Sequence, residues 1–218
     1  MQRLIEGFRR FRATYYREHR AVFEALAAHG QWPRAMVIGC ADSRVDPQLI
    51  FGAAPGDIFV VRNVANLVPP YKPNTDYHGT SAALEFAVNG LQVEHIVVLG
   101  HARCGGVGAL LRGPAPDADG GDDFIGAWMS IAAPARERAL AAGGPAEAVQ
   151  RACEHEAIRV SLGNLMTFPW VRGRVERGTL ALHGWYFDLE AGDLLRLGAG
   201  GTFEPTDGDA PASPGTRA

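Results

Sequence analysis

The sequence predicts an α/β fold, a central, mostly parallel β-sheet flanked by helices, with an N-terminal helical arm that packs on a partner subunit. Three observations predict it. The runs AMVIG (35–39), DIFVVRN (57–63) and EHIVVLG (94–100) are short, β-branched and apolar without alternation, which is how strands buried on both faces read. Between the last two lies GTSAALEFAVNG (79–90), an amphipathic helix, and strand–helix–strand order is the mark of a parallel crossover. Ahead of them all, Leu4, Ile5, Phe8 and Phe11, then Val22, Phe23 and Leu26, recur at three- and four-residue steps among arginines, the pattern of an amphipathic helix.

Taken in order, residues 2–29 read as helix and 1–33 as the arm, stopped by Gly30 and Pro33. Its apolar face suits cover over its own domain or a partner, and its arginines suit a solvated surface. The α/β domain runs over 34–203. Asp46 precedes Pro47 as a helix N-cap, because proline is welcome at the first helical position. Thr80 or Ser81 caps the helix that Gly90 ends. GPAPDADGGD (113–122) is a turn-rich loop, and helices fit 123–141 and 145–163. TLALHGWYFDL (179–189) and DLLRLG (193–198) read as a β-hairpin. From Glu204 the tail is too polar and too rich in Pro and Gly to bury a core, and disorder is expected over 204–218.

Composition narrows the function. A chain of 218 residues with 47% hydrophobic and 21% charged residues is ordinary for one globular domain. A net charge of −3 and a pI near 6.2 give no basic field for nucleic acid. Apolar runs such as IVVLG are too short to span a bilayer, and the N-terminus has no apolar signal core. Three cysteines do not make a disulfide framework, so a reducing cytoplasm is the expected compartment.

The chemistry concentrates in VIGCADSRVDP (37–47) and HARCGG (101–106), each directly after a strand. Ligands gather at the carboxyl ends of strands in open α/β sheets, so Cys40, His101 and Cys104 converge there. Two thiolates and one imidazole are the ligand set of a tetrahedral zinc site with its fourth position open. A lone cysteine after a strand is ordinarily a small buried hydrophobe, and one H-x-x-C is weak by itself. The joint pattern, with an acid and an arginine in the same loop, favours zinc. Cys153 sits in a predicted helix without a paired ligand. The glycines GGVG (105–108) fit neither nucleotide fingerprint and suit close packing of helix on strand. His155 and His183 read as hydrogen-bonded structural histidines.

Zinc(II) with two thiolates and a neutral imidazole is formally neutral, so bringing a bound water to a pKa of ~7 needs help from surrounding groups. Asp42 can take the fourth position or accept a hydrogen bond from the water. A bidentate Arg44 holds the carboxylate ionised and off the metal.

C-x-D-S-R followed by G-H-x-x-C-G-G resembles the β-class carbonic anhydrases. The likeness extends to VRNVANLVPPY (61–71), EFAVNGLQVEHIVVLGH (85–101), SLGNL (161–165) and LALHGWYFD (180–188), and covers roughly residues 1–200. The resemblance implies reversible hydration of CO2 to bicarbonate and a proton, with one Zn2+ per subunit on Cys40, His101 and Cys104. It implies zinc hydroxide as the attacking group, with Asp42 and Arg44 as the acid–arginine dyad. It further implies a homo-oligomer, at least a dimer, whose cleft is shared between subunits. By position Gln31 matches the family's substrate-binding amide, and Phe59 and Val64 match its apolar walls. Phe86 stands where members often carry tyrosine. All three apolar residues also suit an ordinary core. Some members have an inhibitory bicarbonate pocket of Trp, Arg and Tyr; here Val37, Arg62 and Phe187 stand there, so no such pocket is expected and Arg62 becomes a structural partner for a carboxylate or carbonyl. Two alternatives remain open: a CS2 or COS hydrolase on the same fold, and a non-enzymatic zinc-stabilised interaction domain.

Overall fold

A computed structural model of the chain describes residues 1–74, 76–113 and 124–206. The N-terminal segment is helical, but in three pieces where periodicity predicts one: α1 (Gln2–Ala13), α2 (Tyr15–Glu18) and α3 (Arg20–His29). The first break is Thr14, at φ −116° and ψ −89°. Its hydroxyl donates to the Arg10 carbonyl, the local competition that weakens helices at Ser and Thr. Beyond the breaks Phe23 meets Phe11 edge-on at 6.1 Å. No residue of these three helices is buried. Leu26 meets the domain at Gly56, so closely that a Cβ there would come within 2.9 Å of it.

The elements that follow are β1 (Ala35–Cys40), α4 (Pro47–Ile50), β2 (Ile58–Asn63), α5 (Gly79–Glu85) with a π turn over Phe86–Gly90, and β3 (His95–His101). Then come α6 (Gly105–Arg112), α7 (Phe124–Met129), α8 (Ala133–Ala142), α9 (Ala146–Leu165) and α10 (Pro169–Glu176). Strands β4 (Ala181–Phe187), β5 (Leu194–Leu197) and β6 (Phe203–Pro205) complete the sheet.

Every strand that the hydrophobic runs predict is present. Asp46 caps α4 as expected, its carboxylate accepting from the Gln48 and Leu49 amides. The cap of α5 differs: His78 holds that position, while Thr80 is buried inside the helix and accepts from Asn63 Nδ2 at 3.2 Å. The helix expected over 123–141 is α7 and α8 with a 3-10 turn between them, because Pro134 starts a new helix. Helix α10, also opened by a proline, was not expected. Disorder from Glu204 is corrected as well. Glu204 and Pro205 pair with β5, and the Thr206 hydroxyl donates to the Leu194 carbonyl at 3.0 Å. The rest of that tail, 207–218, lies outside the described residues, as does the loop over 113–122 apart from Gly113.

The sheet runs β2-β1-β3-β4-β5-β6, with the first four strands parallel and the last two antiparallel. On one face Met36, Ile38, Ile96 and Val98 pack with Leu84, Val88, Ile158 and Phe168. The alternate residues Val37, Val97 and Leu99 turn to the other face with Phe51, Trp185 and Phe187. Apolar residues on both faces are why these strands do not alternate in sequence. Helix α9 lies against the sheet at two glycines: a Cβ at Gly100 would sit 2.7 Å from Ile158 Cδ1, and one at Gly184 would sit 2.9 Å from Ile158 Cγ2. That contact brings the side chains of α9 to the carboxyl edge of β3. Among the described residues no helix is long and apolar enough to cross a membrane.

Candidate metal centre

Strands β1 and β3 are parallel neighbours with Gly39 level with Leu99. Cys40 and His101 therefore leave the sheet side by side at its carboxyl edge, where α/β folds gather ligands. Past β3, Arg103 takes a left-handed φ of 55°, uncommon for a residue other than glycine. The reversal sets Cys104 as the N-cap of α6.

All three side chains are buried, and their ligand atoms lie within 4.8 Å of one another. Cys40 Sγ and Cys104 Sγ are 4.0 Å apart, close to the separation of about 3.8 Å that two Zn–S bonds subtend at a tetrahedral angle. His101 Nδ1 lies 2.9 Å from the Ala102 carbonyl oxygen, so Nδ1 carries the proton and Nε2 keeps its lone pair. Nε2 is buried without a hydrogen-bond partner among the described residues. A buried acceptor left unpaired beside two thiols is costly unless an ion takes it. The fixed tautomer is the one that metal-bound histidines adopt. The donor set and the orphaned nitrogen together fit Zn2+.

Backbone amides complete the sulfur environment. The Asp42 and Ala65 amides lie beside Cys40, and those of Gly106 and Val107 lie beside Cys104. Beside Cys40 the chain turns sharply, Ala65 and Asn66 being left-handed with φ of 63° and 49°. Asn63 holds that turn, its amide donating to the Leu67 carbonyl and its oxygen accepting from the Leu67 amide, both at 2.8 Å. The contact with Cys104 first, and then the neighbouring backbone amides, pull the Cys40 thiol below its ordinary pKa against the effect of burial.

Beside the triad, Arg44 binds both oxygens of Asp42, Nε to Oδ1 at 2.9 Å and Nη2 to Oδ2 at 2.7 Å, while the Arg44 amide also donates to Oδ1. Nη2 reaches on to the Arg103 carbonyl at 3.1 Å. These bonds, the guanidinium's first, hold the Asp42 carboxyl well below the usual carboxylate range. Arg62 is the structural residue its sequence position suggests. Its guanidinium donates to the Cys40 carbonyl at 2.9 Å, to Asp46 Oδ2 at 2.8 Å and to the Asp42 carbonyl at 2.6 Å.

The carbonic anhydrase family model matches residues 35–194 of this chain. The chain belongs to the β-class carbonic anhydrases. It is 37% identical over 199 residues to the carbonic anhydrase of Synechococcus elongatus, which spans 90% of this chain and 71% of that protein. To β carbonic anhydrase 3 of Arabidopsis thaliana it is 38% identical over 201 residues, 90% of this chain and 77% of that protein. The solved structure of the β-carbonic anhydrase CcaA superposes with a TM-score of 0.85 at 37% identity, covering 94% of this chain and 91% of the other. A tetrameric β-carbonic anhydrase from Sordaria macrospora superposes with a TM-score of 0.78 at 29% identity, over 90% of this chain and 96% of the other. This carbonic anhydrase is thus a lyase of the β class, with the Cys–His–Cys arrangement typical of the class's zinc site.

The expected cleft residues fall into two groups. Val64 touches the metal loop, since a Cβ on Gly106 would meet its Cγ1 at 2.8 Å, and Trp128 Nε1 donates to its carbonyl at 2.7 Å. Phe59, on the edge strand β2, packs its ring 5.8 Å from Phe86, which is 53% exposed. Gln31 is elsewhere, lining a recess of about 430 Å³ with Phe23, Leu26, Ala27, Gly30 and Gly56 at the base of the arm. His183 pairs with His95 at 3.2 Å on the sheet, and His155 meets Tyr186 edge-on and lies tilted against Phe203. Sequence reasoning passed over Glu154 and Gln150, which bind the peptide groups of Cys104. Their four-residue spacing on a helix was legible, but only the fold shows which cysteine they face.

Proposed function

We propose that Cys40, His101 and Cys104 hold one Zn2+ and that Asp42, clamped by Arg44, orients the water that becomes part of bicarbonate. The observation that carries this is the orphaned Nε2 of buried His101, set between two thiols next to a doubly bonded acid–arginine pair. When bound, zinc supplies a Lewis acid that lowers the pKa of a coordinated water. Asp42, ionised and with both oxygens already engaged by Arg44, presents its remaining lone pairs as acceptors for an O–H at the open position. Arg44 fixes that direction through its further bond to the Arg103 carbonyl. Val64, Phe59 and Phe86 supply an apolar wall suited to CO2, and the proton released on hydration passes to solvent or buffer.

The working unit is a homo-oligomer of at least two subunits. The arm exposes Leu4 and Phe8 to 69% and 60%, an apolar face that a partner subunit would bury. Gln31, at the foot of that arm, then serves the cleft shared with the partner. The tetrameric relative from Sordaria macrospora is consistent with such an assembly.

Stopped-flow CO2 hydration, with zinc measured on the same sample, tests the proposal. The expected result is about one zinc per chain and hydration that rises with zinc content. Full zinc occupancy without hydration between about pH 7 and 9 would overturn it.

A further inference from the structure

We infer that Glu154 is a positioning residue for the metal centre: with Gln150 it grips the Cys104 peptide on both sides and fixes where the Cys104 sulfur points. Glu154 is 3% exposed, and an acid so buried needs donors around it. It has three. Its Oε1 accepts from the Cys104 amide at 2.9 Å and from Gln150 Nε2 at 2.9 Å, and its Oε2 accepts from the Tyr186 hydroxyl at 2.8 Å. Gln150 Nε2 also donates to the Cys104 carbonyl at 3.1 Å. Two side chains four apart on α9, one above the other on the same face, thus take the N–H and the C=O that flank one ligand.

The grip matters because local structure alone holds Cys104 poorly. The residue before it is the left-handed Arg103, and Cys104 itself, at φ −64° and ψ 120°, stands outside α6. Its amide lies ahead of the helical ladder and would be a buried donor without a partner if Glu154 were lost. Behind Glu154, Tyr186 is fully buried on β4. Burial first, then the neighbouring carboxylate, pushes its hydroxyl pKa up, so it stays a donor. The chain of contact from β4 through α9 to Cys104 is continuous and touches no reacting atom. Groups that orient ligands in this way commonly affect metal affinity by about 10- to 100-fold.

The inference rests on the zinc reading, so its test reads metal retention instead of hydration. The zinc-loaded protein is mixed with a chromogenic chelator and the zinc release rate is followed. The cobalt-substituted protein reports the ligand field by its visible spectrum. Glu154→Ala is expected to release zinc about 10- to 100-fold faster and to shift the cobalt bands. Glu154→Gln, which keeps an oxygen for the Cys104 amide, restores both. Leu165→Ala, buried on the same helix away from the clamp, controls for loss of stability alone. If Glu154→Ala releases zinc no faster than Leu165→Ala, the inference is overturned. Should Glu154→Ala not fold, Gln150→Ala is expected to show a smaller rise and the same band shift, and an unchanged rate there overturns it equally. A wild-type protein that retains no zinc would instead overturn the metal reading, and the clamp with it.

Discussion

Arg44 and Asp42 are joined by two near-parallel hydrogen bonds, at 2.9 and 2.7 Å, in a pair only two residues apart in the chain. Such short-range bidentate pairing is stiff, and the extra bond from the Arg44 amide to Oδ1 makes it stiffer. Asp42→Ala leaves the three ligands in place and removes the acceptor. The expected outcome is full zinc content with hydration lowered by about 100-fold or more. Arg44→Ala frees the carboxylate to turn toward the triad, and the same loss with zinc retained is expected. Cys40→Ser is the contrasting variant, in which zinc itself falls. Zinc analysis and stopped-flow rates on the three proteins separate these outcomes, and a fully active Asp42→Ala protein would end the dyad's role.

Gly106 is where the metal loop is packed most tightly. A Cβ there would lie 2.8 Å from Val64 Cγ1, 3.1 Å from Ala65 Cβ and 3.5 Å from Met129 Sδ. Val64 cannot easily yield, because its carbonyl is tied to Trp128 Nε1, and Ala65 is held by its left-handed turn. Gly106→Ala should therefore destabilise the protein by about 1–3 kcal/mol. Because Gly106 lies only two residues beyond Cys104, zinc content should fall too. Urea midpoints and metal analysis give both numbers. An unchanged midpoint would mean that the turn is softer than its hydrogen bonds indicate.

How far the sequence spoke depended on the range of the cause. The strands were legible because burial on both faces writes itself into consecutive residues, as in AMVIG and HIVVLG. Cys40, His101 and Cys104 were legible because each follows such a run directly. The break at Thr14 was not, since the helical periodicity continues across it and a single hydroxyl competes locally. Nor was β6: a three-residue edge strand containing proline carries almost no signal apart from its partner β5. Glu154 was hidden for a further reason. In CEHE it looks like one of several helix acids, and only the fold, by setting α9 on Gly100 and Gly184, turns it toward Cys104.

The arm offers a test of assembly independent of catalysis. Leu4 and Phe8 share one face of α1 and are largely exposed, with Ile5 45% and Phe11 39% exposed beside them. Burying a side chain of this size contributes about 1.5–3 kcal/mol, so a pair seated on a partner subunit is a substantial share of an interface. The variant Leu4→Asp with Phe8→Asp should sediment as a smaller species than the wild type at equal concentration and still carry zinc. If its sedimentation coefficient is unchanged, the arm is not what holds the subunits together.

His155 makes stability depend on pH in a window of its own. Its ring lies 4.2 Å from that of Phe203 and 4.4 Å from that of Tyr186, and its Nε2 is buried without a partner among the described residues. Burial first, then the charges of Arg159 and Arg151, with Glu156 opposing, lower its pKa to about 4. Unfolded, the same ring titrates near ~6.5. Between those values the unfolded chain binds a proton that the folded chain refuses, so stability falls as pH drops, by at most about 1.4 kcal/mol per pH unit. Asp42 acts lower down. Its folded pKa is depressed, so its contribution is present above the ordinary carboxylate range and is lost only as pH falls through that lower value. His155→Phe keeps an aromatic ring between Tyr186 and Phe203 and removes the titration. From pH 7 to 5 the wild type should lose up to about 2 kcal/mol more than this variant in urea unfolding. The metal site titrates alike in both proteins, so the difference isolates His155, and parallel losses would show that the ring is protonated in the folded state.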